Sequence, residues 1–190
     1  MPGFDILTNN VEKGRQVMDM DTEILGGHAL LSEDYSLTAT TVTRSELEQA
    51  ANLRFPQGWQ VQSGYQEELT AILAPADTTG ALGASMVARI PVISLLLSRG
   101  SENLEVQILE THDDASRAYV QWVMAQGDPV PVPLGRGYAG GATAVIDTGE
   151  RLIRVSLDDG VDPASLSTKQ TQARLQRLQD RSRALLHALR

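Results

Sequence analysis

The chain has 190 residues, a formal net charge of −8 at pH 7 and no cysteine. Its length fits one domain, or two small lobes that share a core. The lack of thiols excludes disulfides, thiol nucleophiles and thiolate metal sites. The acidic balance argues against general nucleic-acid binding, because phosphate contacts need positive charge. With no signal-peptide pattern and no apolar stretch of membrane-spanning length, the sequence predicts a cytoplasmic protein without a membrane partner.

Domain organisation follows from where periodic segments begin. Residues 1–21 are expected to form an N-terminal arm, either loose or briefly helical, and residues 22–190 a single α+β domain. An alternative is two ββα-ββ lobes, over residues 22–75 and 92–157, followed by a C-terminal helix over residues 163–190. Strands joined mostly by short turns favour a twisted antiparallel sheet with about three helices packed mainly on one face.

The first half predicts one helix among strands. Thr43 and Glu46 have the spacing of a capping box and predict a helix over Arg44–Arg54. Pro56 and Gly58 end it. Residues 75–85 are small and turn-prone and predict a loop, with strand structure resuming at Met86. The strands predicted for this half are Thr22–Leu31, Tyr35–Thr43, Trp59–Ser63 and Leu69–Ala74.

The next segments predict two strands and a second helix. Val92–Ser98 is a short apolar run typical of a buried strand, and Leu104–Leu109 alternates apolar and polar residues. The second helix starts at Asp113 or Asp114, where an acidic residue suits the helix dipole, and ends at Gly127. Its apolar stripe at helical spacing consists of Ala115, Ala118, Tyr119, Trp122 and Val123.

Residues 128–141 form the one long irregular segment that the sequence predicts. Prolines alternate with valines and four glycines follow, which indicates either a surface loop that crosses the sheet or a mobile flap. Gly135–Gly140 has the letters G-x-G-x-x-G. A dinucleotide site needs that motif between a strand and a helix. Here a proline run precedes it and a strand follows it, so the flexible loop is the favoured interpretation.

The C-terminal tail, residues 142–190, has the clearest sequence patterns in the chain. It predicts strands over Ala142–Ile146 and Leu152–Leu157, and then a helix that starts at Pro163 or is capped by Ser167 with Gln170. From residue 165 onward six basic residues oppose one acidic residue, which gives +5. Because the whole chain carries −8, residues 1–164 carry −13. This asymmetry suggests that the final helix lies along an acidic surface, of this chain or of a partner.

The final helix holds the candidate binding residues. Its leucines at heptad spacing favour packing on the chain's own sheet, with a dimer interface as the sharper alternative, since flanking basic residues can select an acidic partner. The candidate partner-binding residues are Arg174, Arg177, Arg181, Leu178 and Leu185. The expected partner is another protein or a second copy of the chain, with no nucleic acid and no membrane.

Catalytic and metal-binding motifs are not found in the sequence. His112, Asp113 and Asp114 could begin a metal site, but a turn with a helix-capping acid is the better interpretation. The acidic residues near Asp158 and Asp162 lack the spacing of a calcium loop and indicate a solvated turn. We therefore nominate no catalytic residue, no metal ligand and no cofactor.

Two weak family resemblances point to binding proteins. A helix, a strand-turn-strand and a long terminal helix, over Ala115–Gln126, Ala144–Ile153 and Pro163–Leu189, resemble type III secretion chaperones and the related YbjN-type proteins. That resemblance implies a small, acidic, often dimeric protein that binds partner polypeptides in extended form. Phe55–Gln60 is similar to the opening of the Mog1/PsbP-like fold, which also serves binding and adaptor roles.

The leading functional hypothesis is therefore a non-enzymatic, partner-binding protein, chaperone-like or adaptor-like. The alternative is a small-molecule or lipid-binding domain that uses residues 128–141 as a lid, since glycine hinges flank a stiff proline stretch. A third hypothesis is an enzyme without a recognisable motif. Its sign would be a cluster of buried, convergent ionisable groups.

Overall fold

The computed structural model describes residues 24–25, 27–39, 45, 58–75, 85–140 and 143–189. In chain order the strands are β1 (Ile24–Leu25), β2 (His28–Ala39), β3 (Gln60–Pro75), β4 (Met86–Arg99), β5 (Glu102–Glu110), β6 (Val130–Val132), β7 (Gly135–Gly140), β8 (Thr143–Asp147) and β9 (Arg151–Asp158). The helices are α1 (Asp114–Met124), a short 3-10 helix (Pro163–Ser165) and α2 (Thr168–Ala188). The predicted arm over residues 1–21 and the predicted helix Arg44–Arg54 lie outside the described residues.

All described strands belong to one antiparallel sheet, with the order β1-β2-β3-β4-β5-β9-β8-β7-β6. The chain meanders from β1 to β5 and crosses through α1 to the opposite edge. It then meanders back inward until β9 pairs with β5. This single non-sequential pairing joins the two halves of the chain in the middle of the sheet.

The predicted fold class, with about three helices packed mainly on one face, was wrong. The described residues form two α-helices, and these lie on opposite faces of the sheet. Leu104 and Val106 of β5 share a core with α2, whereas Leu109 shares a core with α1. Burial shows the same arrangement, because six consecutive residues are buried in β5 and another six in β9. A central strand covered on both faces has no solvent-facing side.

The interpretation of residues 128–141 as a loop or flap was also wrong. Its residues 130–140 form the hairpin β6–β7 at one edge of the described sheet, and β7 pairs with β8. Proline is tolerated in β6 because an edge strand leaves one side of its backbone unpaired. A side chain at Gly135 or Gly137 would collide with a β8 backbone oxygen, so the glycines allow close pairing. A lid made of this segment would have to break the β7–β8 ladder.

The starts predicted for the two described α-helices are confirmed. Asp113 is the N-cap of α1, and its carboxylate accepts a hydrogen bond of 2.7 Å from the Ser116 backbone N–H. Ser167 and Gln170 form a capping box at the start of α2, in which each side chain accepts the other residue's backbone N–H. These caps satisfy backbone donors that the first turn of a helix leaves free.

Candidate functional site

The five candidate residues on α2 mostly serve the fold itself. Leu178 is only 2% exposed and belongs to the core between α2 and the sheet, and Leu185 packs against that core. Arg174 is buried and donates to both carboxylate oxygens of Asp159. Arg181 is half-buried and forms a bidentate pair with Glu102, whereas Arg177 is exposed.

The two ion pairs hold α2 along an acidic rim of the same chain. Hydrogen bonds from Arg174 hold the pKa of Asp159 below its usual range, and hydrogen bonds from Arg181 do the same for Glu102. Both carboxylates therefore stay ionised at neutral pH, and each pair is charge-assisted and bidentate. Two positive charges of the final helix, those of Arg174 and Arg181, are thus matched within the chain.

A wide sheet surface beside α2 is not covered by either described helix. Helix α2 packs mainly over β7, β8 and β9. Leu95 and Leu97 of β4 belong to the core on the α2 side, so the alternation of a strand places Val87, Arg89 and Pro91 on that same side. We call this surface the open face. Its residues form three rows across β2, β3 and β4: Ser32, Ile72 and Val87; Asp34, Thr70 and Arg89; and Ser36, Glu68 and Pro91.

The open face exposes apolar and charged groups side by side. Val87 is 52% exposed, and Arg89 and Pro91 are exposed next to it, while Ile72 is half-buried opposite Val87. Sequence reasoning missed this surface, although one signal was present. Val87, Arg89 and Pro91 alternate with three residues that are buried on the α1 side, so a strand from Met86 implies a second, uncovered face.

The other face of the sheet buries a polar network under α1. Glu33 accepts hydrogen bonds from the hydroxyls of Tyr119, at 2.8 Å, and Tyr35, at 3.1 Å. The Arg154 guanidinium donates to Tyr119 at 3.1 Å, to Tyr35 at 3.3 Å and to Gln107 at 3.0 Å. The two tyrosine hydroxyls therefore bridge the carboxylate to the guanidinium.

Burial sets the electrostatics of this network. It raises the pKa of Glu33, although the charge of Arg154 and the two tyrosine hydroxyls oppose the shift. Burial likewise raises the pKa of Tyr35 to about 12. Glu33 and Arg154 are each only 1% exposed, so solvent does not reach the charged groups. Buried, convergent ionisable groups can indicate an enzyme, but a network this closed to solvent favours a structural role.

On the same face of the sheet, the network continues from β5 into β4 and β3. Gln107 donates to Ser94 at 3.4 Å, and Ser94 donates to Glu67 at 3.5 Å. Near them lies Glu105, which is 9% exposed; burial and the negative charge of Glu67 raise the pKa of Glu105 to about 7, against the opposing charge of Arg154. Glu105 and Gln107 alternate with apolar residues in β5, a pattern that in the sequence resembles a solvated face.

The sequence candidates for metal binding have structural roles instead. The Asp113 carboxylate caps α1, and the His112 ring lies 2.9 Å from a Glu110 carboxylate oxygen. Asp158 accepts a backbone N–H within its own turn, and Asp162 caps the short 3-10 helix. Within the described ranges, no group of three or more His, Asp and Glu side chains could hold a metal ion.

No protein-family model, curated protein or solved structure matches this chain. Of the two described α-helices, neither is long and apolar enough to cross a membrane.

Proposed function

We propose that this chain is a non-catalytic, adaptor-like or chaperone-like domain that holds another polypeptide against its open face. The observation that carries the proposal is the exposure of Val87, Arg89 and Pro91 on a sheet surface that neither described helix covers. Exposed apolar side chains grouped among polar ones are a common mark of protein interaction sites.

The shape and chemistry of the open face favour a polypeptide over a small molecule. Small-molecule sites are concave and enclose most of their ligand, whereas this surface is the side of a three-stranded part of a sheet. The charges of Asp34, Glu68 and Arg89 lie beside apolar groups, as at the polar rim of a transient interface. We place this activity in the cytoplasm, with a second copy of the chain as one candidate partner.

Site-specific photo-crosslinking tests the proposal. The photo-reactive residue p-benzoylphenylalanine replaces Val87 in one sample, and it replaces Leu175 in a matched control. Leu175 is 42% exposed on α2, so both probes start from exposed apolar side chains. We expect the probe at position 87 to crosslink a discrete polypeptide in a lysate of the source cells, and the probe at position 175 to crosslink far less of it.

The crosslinked polypeptide is then purified and titrated against the unsubstituted chain and against the Arg89→Glu variant. We expect Arg89→Glu to weaken binding, because a like charge beside Asp34 and Glu68 changes the electrostatics of the open face. A crosslink in the pure protein alone would identify the partner as a second copy. Equal crosslinking at positions 87 and 175 would contradict the proposal.

A further inference from the structure

A pocket of about 200 Å³ lies at the end of the sheet beyond the open face, against the last turns of α2. Its lining consists of Trp59, Arg99, Arg181, Ala184, Leu185 and Ala188. Along β4 it is remote from the open face, because the eight residue-to-residue steps from Pro91 to Arg99 span about 26 Å at the rise of a strand. The pocket is therefore a separate site.

Local chain geometry brings an aromatic ring and a guanidinium together at this pocket. Gly58 has a φ of 91°, which side-chain-bearing residues rarely adopt, and it turns the chain directly before Trp59. Arg99 ends β4 and pairs across the β4–β5 turn with Glu102. The Arg99 guanidinium lies 4.6 Å from the centroid of the Trp59 ring, within the range of a cation–π contact. The buried Trp59 ring thus supports one of the two pocket arginines.

The pocket holds more positive than negative charge. Glu102 accepts hydrogen bonds from both Arg99 and Arg181, so one carboxylate is shared by two guanidinium groups. The neighbouring Asp159 is already paired with Arg174. Arg174 also lies 4.0 Å from Asp158, so three carboxylates face three guanidinium groups in this region. The lining of the pocket itself, however, contributes only the guanidinium groups of Arg99 and Arg181 and no carboxylate.

We propose that this pocket binds a small amphipathic anion, namely a carboxylate carried on an apolar or aromatic body. Guanidinium groups match a carboxylate in charge and in hydrogen-bond geometry. Leu185 and the two alanines offer the apolar contact, and the buried Trp59 side chain lies beside them. The volume is below the 300–1,000 Å³ or so of drug-sized sites, which favours a small ligand. This site adds a ligand to the protein and does not depend on the proposed polypeptide binding.

Two-dimensional ¹H–¹⁵N NMR tests the site directly, with 3-phenylpropionate as the probe. The chain has two tryptophans, so it gives two indole N–H signals, and Trp122→Phe assigns them. We expect the probe to shift the Trp59 signal and to leave in place the signal of Trp122, which belongs to α1. The neutral 3-phenylpropanamide is the matched ligand. We expect it to bind about tenfold more weakly, because it lacks the charge that the guanidiniums recognise.

Protein variants separate a charged site from a merely apolar one. We expect Arg99→Gln and Arg181→Gln each to weaken binding of 3-phenylpropionate about tenfold. Arg177→Gln, on the same helix but outside the pocket lining, should have no effect. Because Arg181 also anchors α2, Ala184→Phe is the second test. This substitution fills the pocket and keeps its charges, and it should abolish the Trp59 shift.

Three results would overturn the site. The first is equal binding of acid and amide, and the second is unchanged binding by Ala184→Phe. The third is no Trp59 shift at up to about 10 mM probe, a range that covers millimolar dissociation constants. None of these results bears on crosslinking at the open face, so the two proposals fail separately.

Discussion

The two faces of the sheet bury charge in different ways. Under α1, the guanidinium of Arg154 lies inside the core and reaches Glu33 through tyrosine hydroxyls. Under α2 the core beside the helix is apolar, and Arg174 and Arg181 pair with carboxylates at its rim. The same strand serves both arrangements, because β9 presents Arg154 to one face and its apolar neighbours to the other. The α1 side should therefore respond to single polar changes and to pH, and the α2 side mainly to lost volume.

The largest effect is expected at the buried guanidinium. Arg154→Leu removes the positive charge that faces Glu33 and leaves a buried carboxylate without compensation. Removing one partner of a buried charge pair costs about 3–5 kcal/mol. We expect a loss of that size in the free energy of unfolding at pH 7, measured by urea denaturation.

A second substitution shows whether the loss comes from charge or from packing. Glu33→Gln in the Arg154→Leu background removes the uncompensated carboxylate while it keeps a similar volume. We expect the double variant to recover part of the lost free energy, since the two residues belong to one network. A loss of less than about 1 kcal/mol for Arg154→Leu alone would show that this network does not stabilise the α1 side of the sheet.

On the α2 side the expected loss follows from a cavity. Leu178→Ala removes a buried side chain from the apolar core and should cost about 2–5 kcal/mol. Leu175→Ala is the matched control on the same helix, because Leu175 is largely exposed, and it should cost less than about 0.5 kcal/mol. Urea denaturation measures both. Similar losses for the two variants would contradict the position assigned to α2.

The next effect is a dependence of stability on pH, and it concerns the α1 side of the sheet. Burial raises the pKa of Glu105 to about 7 from its ordinary value of 4.5. The folded state therefore binds this proton more tightly than the unfolded state does. This tighter proton binding stabilises the fold fully below pH 4.5, and the stabilisation is lost as the pH rises through 7. Above pH 7 the ionised Glu105 therefore destabilises the fold.

Glu105→Gln removes that destabilisation. We expect the variant to be more stable than the unsubstituted chain at pH 8, by about 1–3 kcal/mol, because one pKa unit corresponds to about 1.4 kcal/mol. The difference should shrink toward pH 5. Urea denaturation at both pH values measures it, with the exposed Glu150→Gln as the control. A difference of the same size at both pH values would rule out titration of Glu105 as its cause.

Local signals in the sequence were enough to predict the starts of the two described helices, but not the strands of the first half, where residues predicted as the two strands Trp59–Ser63 and Leu69–Ala74 belong to the single strand β3. The caps at Asp113 and Ser167 predicted the starts of α1 and α2, because a capping interaction involves only neighbouring residues. The sides on which the helices pack could not be predicted. They depend on the pairing of β9 with β5, which joins distant parts of the chain. The prediction of a loop or flap over residues 128–141 failed for another reason, because the prolines and glycines of this segment suit an edge hairpin as well as a loop.

The candidate site shows the same division. The amphipathic character of α2 could be predicted from the sequence, but the carboxylates that pair with its arginines could not. Asp159 lies 15 residues before Arg174, and Glu102 lies 79 residues before Arg181. The sequence therefore predicted basic residues available to a partner, where the fold uses two of them itself. The extent of the open face could not be predicted, since it depends on how far α2 extends over the sheet.

The smallest effect is expected at the start of α2. Ser167→Ala removes the hydroxyl that accepts the Gln170 N–H and should cost about 1 kcal/mol. Ser167→Gly should cost only a few tenths of a kcal/mol, since glycine is itself a tolerated N-cap. Thr168→Ala, one position into the helix, should not destabilise, because alanine favours helix. Hydrogen exchange should locate the loss in the first turn of α2 and leave α1 protected, because the core under α1 is on the other face of the sheet.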